Sequence, residues 1–431
     1  MKDDFYKSLK EAFKDNYDAL VSKLNEPYTQ GFFINELNGD KDDILKLIDF
    51  DYHKSDFNDS GYFHNENNIG KTKAYELGLI YPQNIESSFS SSLIDFNPKL
   101  IVDLCAAPGG KSINFINKFK DAFCVCNDVD YKRSIELSKN LERLGLTNTI
   151  ITNKKIDDLV NLLKGNADLV IVDAPCSGEG IVRKYPFVID EYSNDNVNNL
   201  VNIQKDLLDN AYKLVKKDGL IVYSTCTYNL NEDEYQVKEF LNKHTDIELV
   251  NLISKYNYSN LKGTIKLCPL NGTEGQFISC FRKLSENESS KLRYLKESDN
   301  IVVKDFINNN LNISNYYLYS NNNNYFMSFD KLIDLNDNVI RKGIVLGELK
   351  NNRFEPAHQL YRSVQLINCF KNVIDINDNE YNMYIQGYEI KKNLKDAYYL
   401  ITFKGFSLGF VKCSNGTLKN KYPKGLRRAM I

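Results

Sequence analysis

The sequence predicts a multidomain α/β protein organised around a mostly parallel, doubly wound sheet. Two observations predict it. From Pro98 to Phe281 short apolar runs alternate with longer amphipathic stretches, the rhythm of strands joined by crossover helices. The first run leads into Asp103-Leu-Cys-Ala-Ala-Pro-Gly-Gly-Lys-Ser112, which reads as strand, glycine turn and helix. Such sheets bind ligands beyond the carboxyl ends of their strands, so function is sought at the polar end of each run.

Composition sets the outer limits. A chain of 431 residues suggests about three domains, and a net charge of -2 gives no general affinity for polyanions. A nucleic-acid site must therefore come from local basic surface. The charged start, Met1 to Lys7, and the lack of a long apolar run predict neither a signal peptide nor a membrane span, hence a cytoplasmic protein. Nine irregularly spaced cysteines argue against a disulfide framework. Cys124-Val-Cys126 is too tight for a zinc pair and suits an alternating strand, so no metal is expected.

In chain order, Phe5 to Leu24 has helical apolar spacing and predicts one amphipathic helix, opening an N-terminal helical and small α/β module over 1–97. Within it Asn58 to Asn68 reads as loop, and Ser87 to Ser92 as a polar hinge or cap. The central domain, 98–283, carries strands at Leu100–Leu104, Ala122–Cys126, Thr149–Thr152, Leu169–Val172 and Leu220–Ser224, with Gly275–Phe281 as a late strand. Its helices fall at Ser112–Phe119, Tyr131–Leu144, Ile156–Leu163 and Val197–Val215. A polar linker, 284–300, leads to another small α/β module, 301–363, in which Asn321 to Asn324 forms a solvated turn. The last piece is 364–431.

At the glycine turn, Gly109 and Gly110 let the backbone bend sharply and approach a ligand, and Ser112 can cap the following helix. The pattern is neither GxGxxG nor a phosphate loop, which disfavours a nucleoside triphosphate. The second strand ends at Asp128, where one carboxylate can accept both hydroxyls of a ribose; helix capping by Asp128 or Asp130 is the plain alternative. The fourth and fifth strands run into Asp173-Ala-Pro-Cys-Ser-Gly-Glu-Gly180 and Ser224-Thr-Cys-Thr-Tyr-Asn229, so each delivers a cysteine to the same sheet edge. One strand-end cysteine is ordinarily a small buried residue, but two beside a cofactor turn suggest chemistry.

These three motifs, with Arg183-Lys184 after the second, resemble the Sun-type RNA cytosine-5 methyltransferases, and within them the RsmF-like branch that acts on 16S ribosomal RNA. Gly343 to Gly347, Arg353 to His358 and Ser414 to Arg427 extend the resemblance over most of the chain. It implies a Rossmann-like S-adenosylmethionine methyltransferase core followed by a PUA-like RNA-binding domain. It also implies methylation of carbon 5 of a cytidine through a covalent cysteine adduct. Carbon 5 is a poor nucleophile until a thiolate adds to carbon 6. By resemblance Cys226 is that nucleophile, Cys176 resolves the adduct and releases product, Asp173 bonds the base, and Lys111 reaches it. Cys105, Ala106, Ala107, Pro108, Gly109, Gly110 and Lys111 are implied to hold S-adenosylmethionine, with Asp128 at the ribose and Arg133 and Asp173 in support. Asn153 stands where relatives carry an aspartate beside the adenine. Asn84 and Leu270 depart from the family acid and histidine, whereas Tyr81 and Gln83 match it.

His358 fits the family pattern but reads as a packed or capping residue. After Asp396 no acid follows, while Lys412, Lys419, Lys421, Lys424 and Arg427 gather near Phe410 and Tyr422, a composition suited to RNA. The expected partner is ribosomal RNA or the small ribosomal subunit, bound by a monomer. The alternatives are a transfer RNA cytosine-5 methyltransferase, a DNA enzyme, disfavoured by the Thr-Cys motif, and a non-catalytic RNA-binding assembly factor.

Overall fold

Five parallel strands form the middle of the protein: Leu100–Asp103, Phe123–Asn127, Thr149–Thr152, Ala167–Asp173 and Val215–Thr225. The computed structural model that contains them describes residues 2–286 and 288–428. Their order across the sheet is third, second, first, fourth, fifth. Connections therefore leave the first strand in one direction and reach the fourth in the other, and the crevice at that reversal is where such sheets take ligands. These strands are almost wholly buried, as continuous runs such as Leu169-Val-Ile-Val172 require when helices cover both faces. The helices between them are Gly110–Lys118, Tyr131–Arg143, Ile156–Leu163 and, after the short helix Phe187–Glu191, Asn194–Leu214.

Antiparallel strands widen the sheet on both sides. Gln276–Lys283 pairs with the fifth strand. On the far edge Val339–Lys342 pairs with the third, so the segment read as a separate module over 301–363 sends one strand into the central sheet. Arg341 of that strand is buried and donates to the carbonyl of Leu146 and to Thr149 Oγ1. The rest of the segment is helix Ile301–Asn310 and a four-stranded antiparallel sheet, with Asn322 at φ +53° in the asparagine turn. The polar stretch before it runs from the central domain to this segment, with Ser290 N–H reaching Lys164 O at 2.8 Å and Leu295 N–H reaching Leu332 O at 2.9 Å.

Three local expectations for the N-terminal part are corrected. The single helix from Phe5 to Leu24 is two, Lys2–Phe13 and Tyr17–Lys23, separated by a short 3-10 turn in which Lys14 has φ +47°. The expected loop Asn58 to Asn68 contains the strand Gly61–His64, because Tyr62 stacks on Phe32 of the neighbouring strand with ring centroids 5.5 Å apart. The serine run is a mostly buried helix, Ile85–Ser92. Ser88 and Ser91 satisfy their hydroxyls on the carbonyls of Ile85 and Ser88, so the small side chains pack against helix Gly110–Lys118 without loose polar groups.

The C-terminal part is a five-stranded sheet. Its core is continuous with that of the N-terminal sheet: Phe32, Ile34 and Ile80 share one apolar cluster with Ile374, Tyr384 and Phe406. Among the described residues no helix is long and apolar enough to cross a membrane.

Candidate active site

The carboxyl ends of the first, fourth and fifth strands open into one cleft of about 680 Å³. That volume suits a nucleoside-sized ligand with room beside it. Cys105, Ala106, Ala107, Pro108, Gly110 and Lys111 line it. Gly109 makes the turn behind them at φ +124°, and a Cβ there would lie 3.1 Å from both Ile113 and Leu137. The helix is capped by Gly109 and not, as expected, by Ser112, whose Oγ donates to Asp103 Oδ2 at 2.6 Å. Asp103 is fully buried and its carboxyl is pushed up to about 7, chiefly by burial.

Asp128 lines the same cleft. Its Oδ2 accepts Ala107 N–H at 3.2 Å and its Oδ1 accepts Asp130 N–H at 3.0 Å. Of the two acids offered for capping, Asp130 is the one that caps the next helix, accepting Arg133 N–H. Arg133 lies 3.5 Å from Asp128 and bonds the Ala107 carbonyl, tying the turn to the second strand. Asn153 does not line the cleft. Its amide donates to the Asp128 carbonyl at 2.8 Å and supports the second strand end, while Val129 and Ile156 give the cleft apolar wall beside Asp128.

The two cysteines meet at the base of the cleft, with Cys176 Sγ 3.1 Å from Cys226 Sγ and 3.3 Å from the Cys226 backbone N–H. The Cys176 thiol is held well above its ordinary range, first by the hydrogen bond with Cys226 and then by burial, so it keeps its proton. Lys111 Nζ forms an ion pair of 2.8 Å with Asp173 Oδ1, which also accepts Ser224 Oγ at 3.0 Å. Lys111 is buried and Asp173 partly exposed, so the carboxylate faces the cleft with its cation behind it.

Two further acids escaped the sequence reading. Glu232 Oε2 accepts Ser177 N–H at 3.0 Å and Gln204 Nε2 at 2.9 Å, directly behind Cys176. Glu86 lines the cleft two positions after Asn84, where relatives were expected to carry an acid. Burial pushes both carboxyls up to about 7. The sequence signal for Glu86 was a lone acid inside a serine helix; for Glu232 it was only a place three residues after the fifth strand's motif. Leu270 packs among the apolar residues under the N-terminal helix. His358 is a packed residue, set against Tyr422 and within 3.5 Å of Glu142.

Comparison with known proteins decides what this arrangement belongs to. A model described as 16S rRNA methyltransferase RsmB/F matches residues 93–282, one for the N-terminal domain of 16S rRNA methyltransferase RsmF matches 1–85, and one for the methyltransferase RsmF PUA domain matches 371–428. The chain belongs to the RsmB/F methyltransferase family. Among similar RsmB/F proteins, ribosomal RNA small subunit methyltransferase F of Shewanella piezotolerans is 24% identical, over 96% of this chain and 94% of that protein. Ribosomal RNA small subunit methyltransferase B of Escherichia coli is 27% identical, over 56% of this chain and 58% of that one. A methyltransferase homolog from Pyrococcus horikoshii shares the fold at a TM-score of 0.57 and 25% identity, over 64% of this chain and 94% of that chain. The NSun6 structure from the same organism, 19% identical over 65% of this chain and 98% of that chain, does so at a TM-score of 0.58.

As an RsmB/F protein the chain is an S-adenosylmethionine-dependent RNA methyltransferase with a C-terminal PUA domain. The cleft fits that cofactor. Gln83 bonds Asn114 through one end of its carboxamide and leaves the other end buried, lining the cleft and without a partner among the described residues. An added Cβ on Gly110 would approach that free end to 3.2 Å. An unpaired buried polar group beside a glycine-walled space is a site for a polar ligand.

Proposed function

We propose that this methyltransferase modifies carbon 5 of a cytidine in 16S ribosomal RNA, with Cys226 as the attacking thiolate and Cys176 as the group that assists its departure. The observation that carries the reading is the meeting of two thiols at 3.1 Å in a cofactor-sized cleft, beside a carboxylate held by a buried lysine. The family resemblance of the Thr-Cys motif assigns the attack to Cys226.

Asp128 would hold the ribose of S-adenosylmethionine, the Cys105 to Lys111 turn and Gln83 its amino-acid end, and Val129 and Ile156 the faces of its adenine. Bound there, the cofactor supplies an electrophilic methyl group. The target base is unstacked to enter the cleft. Cys226 Sγ bonds carbon 6, and the displaced electron pair gives carbon 5 the character of a nucleophile. Asp173, held by Lys111 and Ser224, hydrogen-bonds the base as charge develops on the ring. Once carbon 5 is methylated, its proton passes to water, the electron pair restores the ring double bond, and the bond to Cys226 breaks with the sulfur leaving as thiolate. Cys176, in hydrogen-bond reach of the departing sulfur, donates a hydrogen bond to it and so assists its departure.

Ribosomal RNA carrying 5-fluorocytosine tests this, because fluorine cannot leave as a proton does. A protein–RNA adduct on a denaturing gel, present in wild type and absent in Cys226→Ser, is the expected result. Dependence of the band on Cys176 instead would exchange the roles, and its absence from every lane, with cofactor bound, would remove the covalent mechanism.

A further inference from the structure

Beside the mouth of the cleft, exposed aromatic rings cluster where packing gives no reason for them. The chain after Cys176 runs through Ile181-Val-Arg-Lys-Tyr-Pro-Phe-Val-Ile189. Val182, Val188 and Ile189 turn inwards against the N-terminal helix, meeting Phe5, Leu9 and Tyr192. Tyr185 and Phe187 turn outwards, 40% and 54% exposed, with ring centroids 5.9 Å apart. Tyr28, 36% exposed, joins them from the N-terminal part. Lys184 bridges the group, its Nζ 5.4 Å from the Tyr185 ring and 6.0 Å from that of Tyr28. Lys184 has no carboxylate partner among the described residues, and both it and Tyr185 line the cleft.

This surface is held rigid from behind. Arg183 Nε donates to Glu274 Oε2 at 3.0 Å and Arg183 Nη1 to Pro27 O at 3.2 Å, while Thr29 N–H donates to Glu274 Oε1 at 2.9 Å. Arg183 and Glu274 are both buried. One ion pair thus fixes the loop carrying Tyr28 against the loop carrying Lys184 and Tyr185, so the rings are set before a ligand arrives.

We infer that Tyr28, Lys184, Tyr185 and Phe187 form a stacking platform for the nucleotides flanking the target base in single-stranded RNA. The inference rests on the RNA-modifying reading and extends it to a subsite. An unstacked target leaves its neighbours without one stacking partner, and the nearest surface continuous with the cleft offers ring faces in compensation. The unpaired ammonium of Lys184, between two rings and the cleft, suits the phosphate that joins flanking and target nucleotides. A protein partner would need a larger apolar surface than three rings around a cation.

The test compares wild type, Tyr185→Ala/Phe187→Ala and Tyr185→Phe for affinity towards small-subunit ribosomal RNA, with S-adenosylmethionine affinity as the check on folding. Lost base stacking weakens RNA binding by roughly 5- to 150-fold per base, so the double alanine variant should fall in that range or below it. Tyr185→Phe keeps a ring and should stay within about threefold of wild type. Cofactor affinity should be the same in all three. Wild-type RNA affinity in the double variant would overturn the platform while leaving methyl transfer standing. Equal loss in Tyr185→Phe would overturn stacking in favour of the hydroxyl. A wild-type enzyme that neither binds nor methylates RNA would overturn the underlying reading and the platform with it.

Discussion

Cys176 Sγ and Cys226 Sγ lie 3.1 Å apart, on loops that leave adjacent parallel strands paired through Asp173 and Ser224. Neighbouring strands therefore do what a single loop could not: they bring two thiols together from positions 50 residues apart in the chain. The register of the sheet sets this contact, so it is preorganised.

The two thiols should be separable by reactivity. With Cys176 held protonated, alkylation by iodoacetamide followed by peptide mapping should label Cys226 first. Cys226→Ser should abolish adduct formation, whereas Cys176→Ser should still form adduct and accumulate it, because the sulfur leaves without the thiol that assists its departure. Faster labelling of Cys176 would contradict the assignment.

Lys111 and Asp173 act as one unit across their 2.8 Å ion pair. Lys111→Met should leave Asp173 misdirected, and Asp173→Asn should weaken stabilisation of charge on the base. Each should slow adduct formation in single turnover by about 10² to 10³, the usual cost of one preorganised electrostatic contact. The double variant should lose little more than either single one, since the pair's contribution is shared. Full additivity would show independent roles.

Stability should fall as pH rises towards neutrality. Glu86, Asp103 and Glu232 have folded carboxyls pushed up to about 7, above their ordinary values of 4.5, 3.8 and 4.5. Between about pH 4 and pH 7 the unfolded chain has released these protons and the folded chain still holds them, so raising pH favours unfolding. For Glu232 the rise corresponds to about 3 kcal/mol. Urea unfolding at pH 5 and pH 8 should therefore show a smaller loss in Glu232→Gln than in wild type, and an equal loss would place the titration elsewhere.

What could be read in the sequence follows from how local each signal is. The parallel strands announced themselves because a strand covered on both faces is a continuous apolar run, and the motifs stood out because they end such runs. Polar residues used as structure were the ones misread. The serines of helix Ile85–Ser92 bond their own helix, and Asn153 supports the strand end that carries Asp128. Each looks solvent-facing in one dimension because its partners come from its own backbone or from distant segments. The buried acids Glu86 and Glu232 were hidden for the same reason. Neither closes an apolar run or sits at a spacing that suggests chemistry.

On the PUA sheet Lys412 stands directly opposite Lys419, both exposed, an arrangement that costs stability unless an anion relieves it. Lys421 and Lys424 are exposed nearby in the chain, whereas Arg427 is partly committed within the domain through its bond to the Tyr422 carbonyl. Lys412→Glu/Lys419→Glu should weaken RNA binding and lower the dependence of log affinity on log salt by about 2, one for each lost phosphate contact. Arg427→Ala should act through folding, lowering the unfolding midpoint. A salt slope unchanged in the lysine variant would remove this face from the RNA interface.

The three parts of the chain meet at Gly78. It sits at φ +70°, and a Cβ added there would fall 2.0 Å from the Arg143 carbonyl oxygen and 2.8 Å from Arg362 Nη2. Arg362 is buried and donates to the carbonyls of Glu76, Arg143 and Ser407, joining the N-terminal part, the central domain and the C-terminal sheet. A side chain at residue 78 must displace backbone as well as adopt a left-handed conformation, for a cost of about 1 to 3 kcal/mol from the conformation alone. Gly78→Ala should lower the unfolding midpoint of the whole protein, and because the N-terminal and PUA cores are continuous, both should unfold in the same transition. Two separated transitions in the wild type would show that the shared core does not couple them.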